Sequence, residues 1–129
     1  MRLPANPALA ALAALALWGS GASAEIAGIT WDANGRHQRS LSLAPGKLAE
    51  LCGRLPAGLK LHWAFEASAP LDFNVHYHVG KAVEYPVKLN AVAAAKDTLD
   101  TKTEQDYCWM WTNPSAAAAA VTVTVRLQR

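Results

Sequence analysis

Along much of this chain, apolar and polar residues alternate one by one. Between positions 59 and 65, Leu59, Leu61, Trp63 and Phe65 are separated by Lys60, His62 and Ala64. Between 71 and 79, Leu71, Phe73, Val75, Tyr77 and Val79 are separated by Asp72, Asn74, His76 and His78. Near the end, Val121, Val123, Val125 and Leu127 alternate with Thr122, Thr124 and Arg126. A period of two sends successive side chains to opposite faces, so each stretch predicts a strand with one face on a core and one in water. Weaker strand patterns cover 25–31, 38–44, 82–88 and 105–112. Turn signals divide them at Asn34-Gly35, Pro45-Gly46, Pro56-Ala57-Gly58, Gly80-Lys81 and Asn113-Pro114. Pro86 assigns the 82–88 strand to a sheet edge or a bulge, because proline donates no ladder hydrogen bond. Leu48, Leu51 and Leu55 stand at helical spacing and predict a helical turn over 47–55. The stretch 91–104, alanine-rich and then polar, predicts a short helix or a loop. The alanines at 116–120 follow Asn-Pro-Ser and run straight into a strong strand, so they predict a loop. Seven or so short strands without internal repeats predict an all-β fold, an antiparallel β-sandwich of jelly-roll type or a barrel.

The first 24 residues break this pattern. Arg2 is the only charge ahead of an Ala/Leu/Trp run over 8–18, and the segment closes on Ala22-Ser23-Ala24. A charged start, a short apolar stretch and a small-x-small end describe a secretory signal peptide cleaved after about Ala24. The apolar run falls short of the about 20 residues a membrane-spanning helix needs. No transmembrane segment is expected in the mature chain, residues 25–129, which reads as one β-sandwich domain that is periplasmic or secreted. Export also sets the expectation for Cys52 and Cys108, the only two cysteines. Outside the cytoplasm such a pair is expected as one disulfide. Closing a loop of that length contributes about 4 kcal/mol in the chain-entropy model.

Composition narrows the function. The chain has 129 residues, 52% hydrophobic and 17% charged, with a formal net charge of +2. Its charges are scattered singly, which excludes the basic stripe a nucleic-acid binder needs and a polybasic membrane patch. No nucleophile elbow, phosphate loop or paired-cysteine redox motif is present, so the chain is expected to be non-catalytic. Asn113-Pro114-Ser115 is no glycosylation acceptor, since proline occupies its middle position.

Two groups of residues carry candidate chemistry. His76 and His78 lie at i and i+2 of a strand and share its polar face, and His62 faces outward by the same parity. If the strands at 59–65 and 71–79 form a hairpin, the three imidazoles gather into a set that suits Cu or Zn. The alternative is three solvated histidines with ordinary titration. The second group is Tyr107, Trp109 and Trp111, which share one face of a strand whose other face holds Cys108 and Met110. With the disulfide buried, the aromatics form an exposed interaction patch. With the aromatics in the core, the disulfide lies at the surface, and a domain this small favours that arrangement.

The closing block resembles a known family. Tyr107-Cys108-Trp109-Met110-Trp111-Thr112-Asn113, a short loop, and then Val121-Thr122-Val123-Thr124-Val125 are similar to the end of the GOLD (Golgi dynamics) domain. The resemblance covers roughly residues 40–127. It implies a compact β-sandwich in which an early cysteine, here Cys52, is bridged to the cysteine of the motif, here Cys108. It also implies a protein or lipid partner and no catalysis. The coiled coil and C-terminal membrane anchor of that family's cargo receptors are missing, so a trafficking role does not carry over. The sequence therefore points to a secreted or periplasmic non-catalytic binding or accessory module. Its alternative is a periplasmic Cu- or Zn-binding protein using His62, His76 and His78.

Overall fold

The structure, a computed structural model, describes residues 24–128. All but the last position of the expected signal peptide thus lies outside the described residues. Seven strands account for the fold: β1 (Glu25–Gly28), β2 (Arg36–Leu43), β3 (Leu48–Leu55), β4 (Lys60–Val79), β5 (Ala82–Asp100), β6 (Gln105–Thr112) and β7 (Ala119–Leu127). Their order is β1-β3-β6-β4-β7-β2, with β5 on the other side of β4. Every pairing is antiparallel except that of β1 with β3. The all-β sandwich with one disulfide read from the sequence is the fold found.

One strand builds the sandwich. β4 runs for 20 residues. Along one edge its first part pairs with β7, from Leu61 opposite Leu127 to Ala67 opposite Val121. Its later part pairs with β6, from Asp72 opposite Thr112 to His76 opposite Cys108. β4 therefore passes from one layer into the other, and β5 follows it along the opposite edge. The register slips between Glu66 and Leu71, where the ribbon turns the corner. At the next slip, between Leu71 and Phe73, Ala91 takes a positive φ of 53°, and its N–H donates to Asp72 Oδ1 at 3.0 Å. That hydrogen bond holds a backbone conformation which alanine rarely adopts.

Three local expectations are corrected here. The stretches 59–65 and 71–79 are two parts of one strand and make no hairpin. The hairpin lies one step further on, where Gly80 at φ +59° turns β4 into β5. Residues 48–55 form a strand, since Ala49, Leu51 and Leu55 are all buried at period-two spacing. Leu48 is off that parity and only half-buried, and it created the helical spacing. Finally, β5 continues through Asp100, so residues 91–100 are strand, with Ala94 opposite Glu66 and Ala95 opposite Phe65. Pairing with β4 overrides the helix preference of alanine.

Between the layers lies an aromatic core. Phe73 packs against Trp63, Phe65 and Trp111, with ring centroids 5.1, 4.6 and 5.4 Å away. Tyr107, Trp109 and Trp111 are 1%, 0% and 0% exposed. The interaction patch considered for these three residues is thereby corrected: their alternating face is the core face of β6. Their burial sends Cys108 outward, where it stands opposite Cys52 and is bridged to it. At the far end of the core, Asn113 is fully buried. Its Nδ2 donates to the carbonyl of Ala117 at 2.7 Å, and its Oδ1 accepts from the N–H of Ser115 at 3.0 Å.

Candidate functional site: two outward sheet surfaces

The outer face of the layer β1-β3-β6-β4 collects polar side chains around the disulfide. Glu50 and Cys52 lie on β3, Cys108 and Met110 on β6, and Asn74 and His76 on β4. The pairings Glu50 to Met110 to Asn74, and Cys52 to Cys108 to His76, place them in two cross-strand rows. His76 does leave the core side, as its parity requires, but it is only 5% exposed. The rings of His78 and Tyr85 stand 5.3 and 6.0 Å from its own. Above β6, its Nε2 approaches Glu50 Oε1 at 3.7 Å.

Hydrogen bonding decides how this imidazole is used. His76 Nδ1 lies 2.7 Å from Asn74 Oδ1. An amide oxygen only accepts, so Nδ1 carries a proton, while Nε2 faces Glu50 as a lone pair in the neutral ring and as a second N–H in the protonated one. Burial lowers the His76 pKa below its ordinary 6.5; the Glu50 carboxylate opposes that shift and neighbouring His78 adds to it. Cys52 Sγ sits 4.0 Å from the other Glu50 oxygen. Glu50, Cys52 and Cys108 bring three potential ligand atoms within 4.8 Å of one another. The two sulfurs are bonded to each other, so they offer no thiolate to a metal while the bridge stands.

His62 does not join this group. It lies in the other layer, opposite Thr98 and Arg126. Its Nδ1 is 2.9 Å from Thr98 Oγ1 and its Nε2 2.9 Å from Gln128 Oε1. The three-histidine set depended on a hairpin, and the continuous β4 separates His62 from His76 and His78. His37 is tied to the backbone instead, with Nδ1 2.8 Å from the carbonyl oxygen of Thr30.

On the outer face of that second layer, Ala64 forms the floor of a hollow. The largest part has a volume of about 450 Å³ and is lined by His62, Lys96, Asp97, Thr124 and Arg126. Two adjoining parts of about 330 and 250 Å³ share Ala64 and extend past Glu66 towards Ala94 and Gln38. Small residues in the middle and long polar ones at the rim make this sheet face concave. Neither the hollow nor the part played by Glu50 and Asn74 was read from the sequence. The signal for Glu50 was its spacing of two from Cys52, which became informative only once 48–55 formed a strand.

No protein-family model matches the chain. No curated protein matches it in sequence either. Its fold is similar to that of solved structures. One is PliG of Aeromonas hydrophila, a periplasmic inhibitor of g-type lysozyme. It is 12% identical with a TM-score of 0.64, and the match covers 81% of this chain and 96% of that one. Another is the pre-peptidase C-terminal domain of Bacillus anthracis collagenase, 9% identical with a TM-score of 0.58, covering 81% and 95%. A third is the Yersinia pseudotuberculosis-derived mitogen, 10% identical with a TM-score of 0.56, covering 72% and 86%. At these identities the likeness is one of fold.

Proposed function

We propose that this chain is a periplasmic or secreted, non-catalytic sandwich module that binds a protein partner through the hollow around Ala64. The observation that carries the reading is the fold likeness to a periplasmic lysozyme inhibitor, which spans 96% of that protein. That inhibitor offers a precedent for a sandwich of this fold serving as a binding protein. One further feature supports it: the signal-peptide pattern of residues 1–24. The hollow supplies what a protein contact needs, a concave floor of small residues with charged side chains of both signs at its rim.

The test begins with the neighbour's partner. The protein expressed from the full chain and recovered after export is assayed as an inhibitor of g-type lysozyme. Exported proteins cross-linked to it are identified in parallel. The expected result is a stoichiometric complex with one exported protein, lost when Ala64→Arg fills the hollow while the melting temperature stays unchanged. A complex that survives Ala64→Arg removes the hollow from the proposal. No complex with any exported protein overturns the binding reading itself.

A further inference from the structure

A like-charged pair beside Ala64 carries the inference, which rests on the reading of that hollow as a protein-binding surface. Outward side chains of β2, β7, β4 and β5 fall there into cross-strand rows. One row runs Arg36, Arg126, His62, Thr98, and the next runs Gln38, Thr124, Ala64, Lys96. Two arginines thus stand directly opposite one another on neighbouring strands, with an imidazole beside them and no acid in either row. Like charges opposite each other across a ladder cost stability. The fold gains nothing from this arrangement, so its use lies outside the fold.

The surroundings leave these cations available. Elsewhere basic side chains are neutralised: Arg39 by Glu25, Arg54 by Glu104 and Asp106, and Lys60 by Asp100. Arg126 and Lys96 are both exposed and form no ion pair among the described residues. Arg36 Nη2 donates to Gln38 Oε1 at 3.0 Å, which lays that guanidinium along β2 towards the row of Ala64. The acids of the hollow are turned aside or distant. Asp97 Oδ1 accepts from the N–H of Thr98 at 2.7 Å. Glu66 belongs to the third row, opposite Thr122 and Ala94. At about 3.3 Å per residue, it lies about 13 Å along β4 from His62. One end of the hollow is therefore cationic.

We propose that the Arg36–Arg126 end of the hollow receives an acidic side chain of the protein partner, an Asp or Glu carboxylate on a protruding segment. Charge complementarity selects this occupant. Each guanidinium presents its N–H donors as a planar fork that matches a carboxylate, and the hydrogen bonds are charge-assisted. One carboxylate beside both arginines also offsets the repulsion that the free protein bears. Above Ala64, the volume of about 450 Å³ leaves room for the methylene stem of the incoming residue, and Lys96 supplies a further cation at the rim.

The experiment titrates the exported protein, expressed from the full chain, with two synthetic peptides by calorimetry at low ionic strength. One peptide carries glutamates in a glycine-serine frame, and the other carries glutamines at the same places. Saturable one-to-one binding of the glutamate peptide is expected, at least tenfold tighter than that of the glutamine peptide. Arg126→Gln should weaken it at least tenfold without lowering the melting temperature, because the substitution relieves the like-charged pair. Lys60→Gln, whose cation is already matched by Asp100, should bind as the unaltered protein does. No binding, equal affinity for both peptides, or Arg126→Gln binding like the unaltered protein overturns the inference. A lower melting temperature in Arg126→Gln assigns the arginine to the fold and overturns it as well. Inorganic phosphate binding as tightly as the glutamate peptide overturns the protein source and leaves a site for free anions. A partner complex lost in Ala64→Arg but kept in Arg126→Gln overturns the carboxylate contact alone. No complex with any exported protein overturns the binding reading on which it rests.

Discussion

Cys52 stands directly opposite Cys108 across β3 and β6, and the bridge between them lies on the outer face with the aromatic core directly beneath. It links residues 56 positions apart in sequence. Reduction should therefore act mainly on the unfolded chain, which gains the conformational freedom the bridge denied it. A fall of about 2–4 kcal/mol in unfolding free energy is expected for Cys52→Ala/Cys108→Ala. Denaturant titration of that variant beside the oxidised protein measures it, and a loss below 1 kcal/mol would deny the bridge a stabilising role.

Trp111 belongs to the core, and its truncation should show it. Trp111→Ala should cost about 3–5 kcal/mol, the range for emptying a large aromatic site. An exposed binding residue would cost far less stability while weakening a partner. Trp111→Phe should be milder than its volume suggests, because the buried indole N–H has no acceptor and its removal relieves that deficit. Thermal or chemical unfolding of both variants separates the contributions.

His76 makes the fold sensitive to acid. Its folded pKa is lowered by burial, with Glu50 opposing and His78 reinforcing the shift, so the unfolded chain binds the proton more readily. The stability this contributes is fully present above the unfolded pKa of about 6.5 and is lost as pH falls through the lower folded value. In metal-free buffer, stability should decline from pH 7.5 towards pH 5. His76→Gln should flatten that part of the profile. A profile unchanged by His76→Gln would show that other groups govern the acid response.

The outer edge of β5 has no strand partner among the described residues and carries its own protection. Asp97, exposed at the rim of the hollow, puts a charge on this edge strand, and Pro86 removes a donor. Asp97→Val with Pro86→Val should convert this edge into a pairing surface. Light scattering should then detect dimers or larger species at concentrations where the parent protein stays monomeric.

Those edge properties also explain what the sequence concealed. β7 and the later part of β4 were legible because burial on one face imposes a strict alternation, as in Val121, Val123 and Val125. β5 has little burial on either face, so nothing disciplined its pattern, and its alanines imitated a helix. At the corner of β4, Ser68, Ala69 and Pro70 have the composition of a turn, yet the chain stays extended between the pairing with β7 that ends at Ala67 and the pairing with β6 that begins at Asp72. The histidines followed from that misreading. Parity correctly put His76 on the outer face, but which other side chains meet it depends on the strand order β3-β6-β4, which no local pattern encodes. The aromatic face of β6 had two self-consistent assignments, and only the packing of Phe73 and Phe65 against Trp111 chooses between them.

The passage of β4 through both layers has a kinetic consequence. Neither layer is a closed unit: one needs β7 against the start of β4, the other needs β6 against its end. Among the described residues β2 has β7 as its only strand partner, with Ser40 meeting Thr122 across 82 positions. Such long-range closure is slow, and here it waits for the final strand. Until β7 emerges, the chain has no complete sandwich to collapse into. Neither layer can therefore close until β7 has been made.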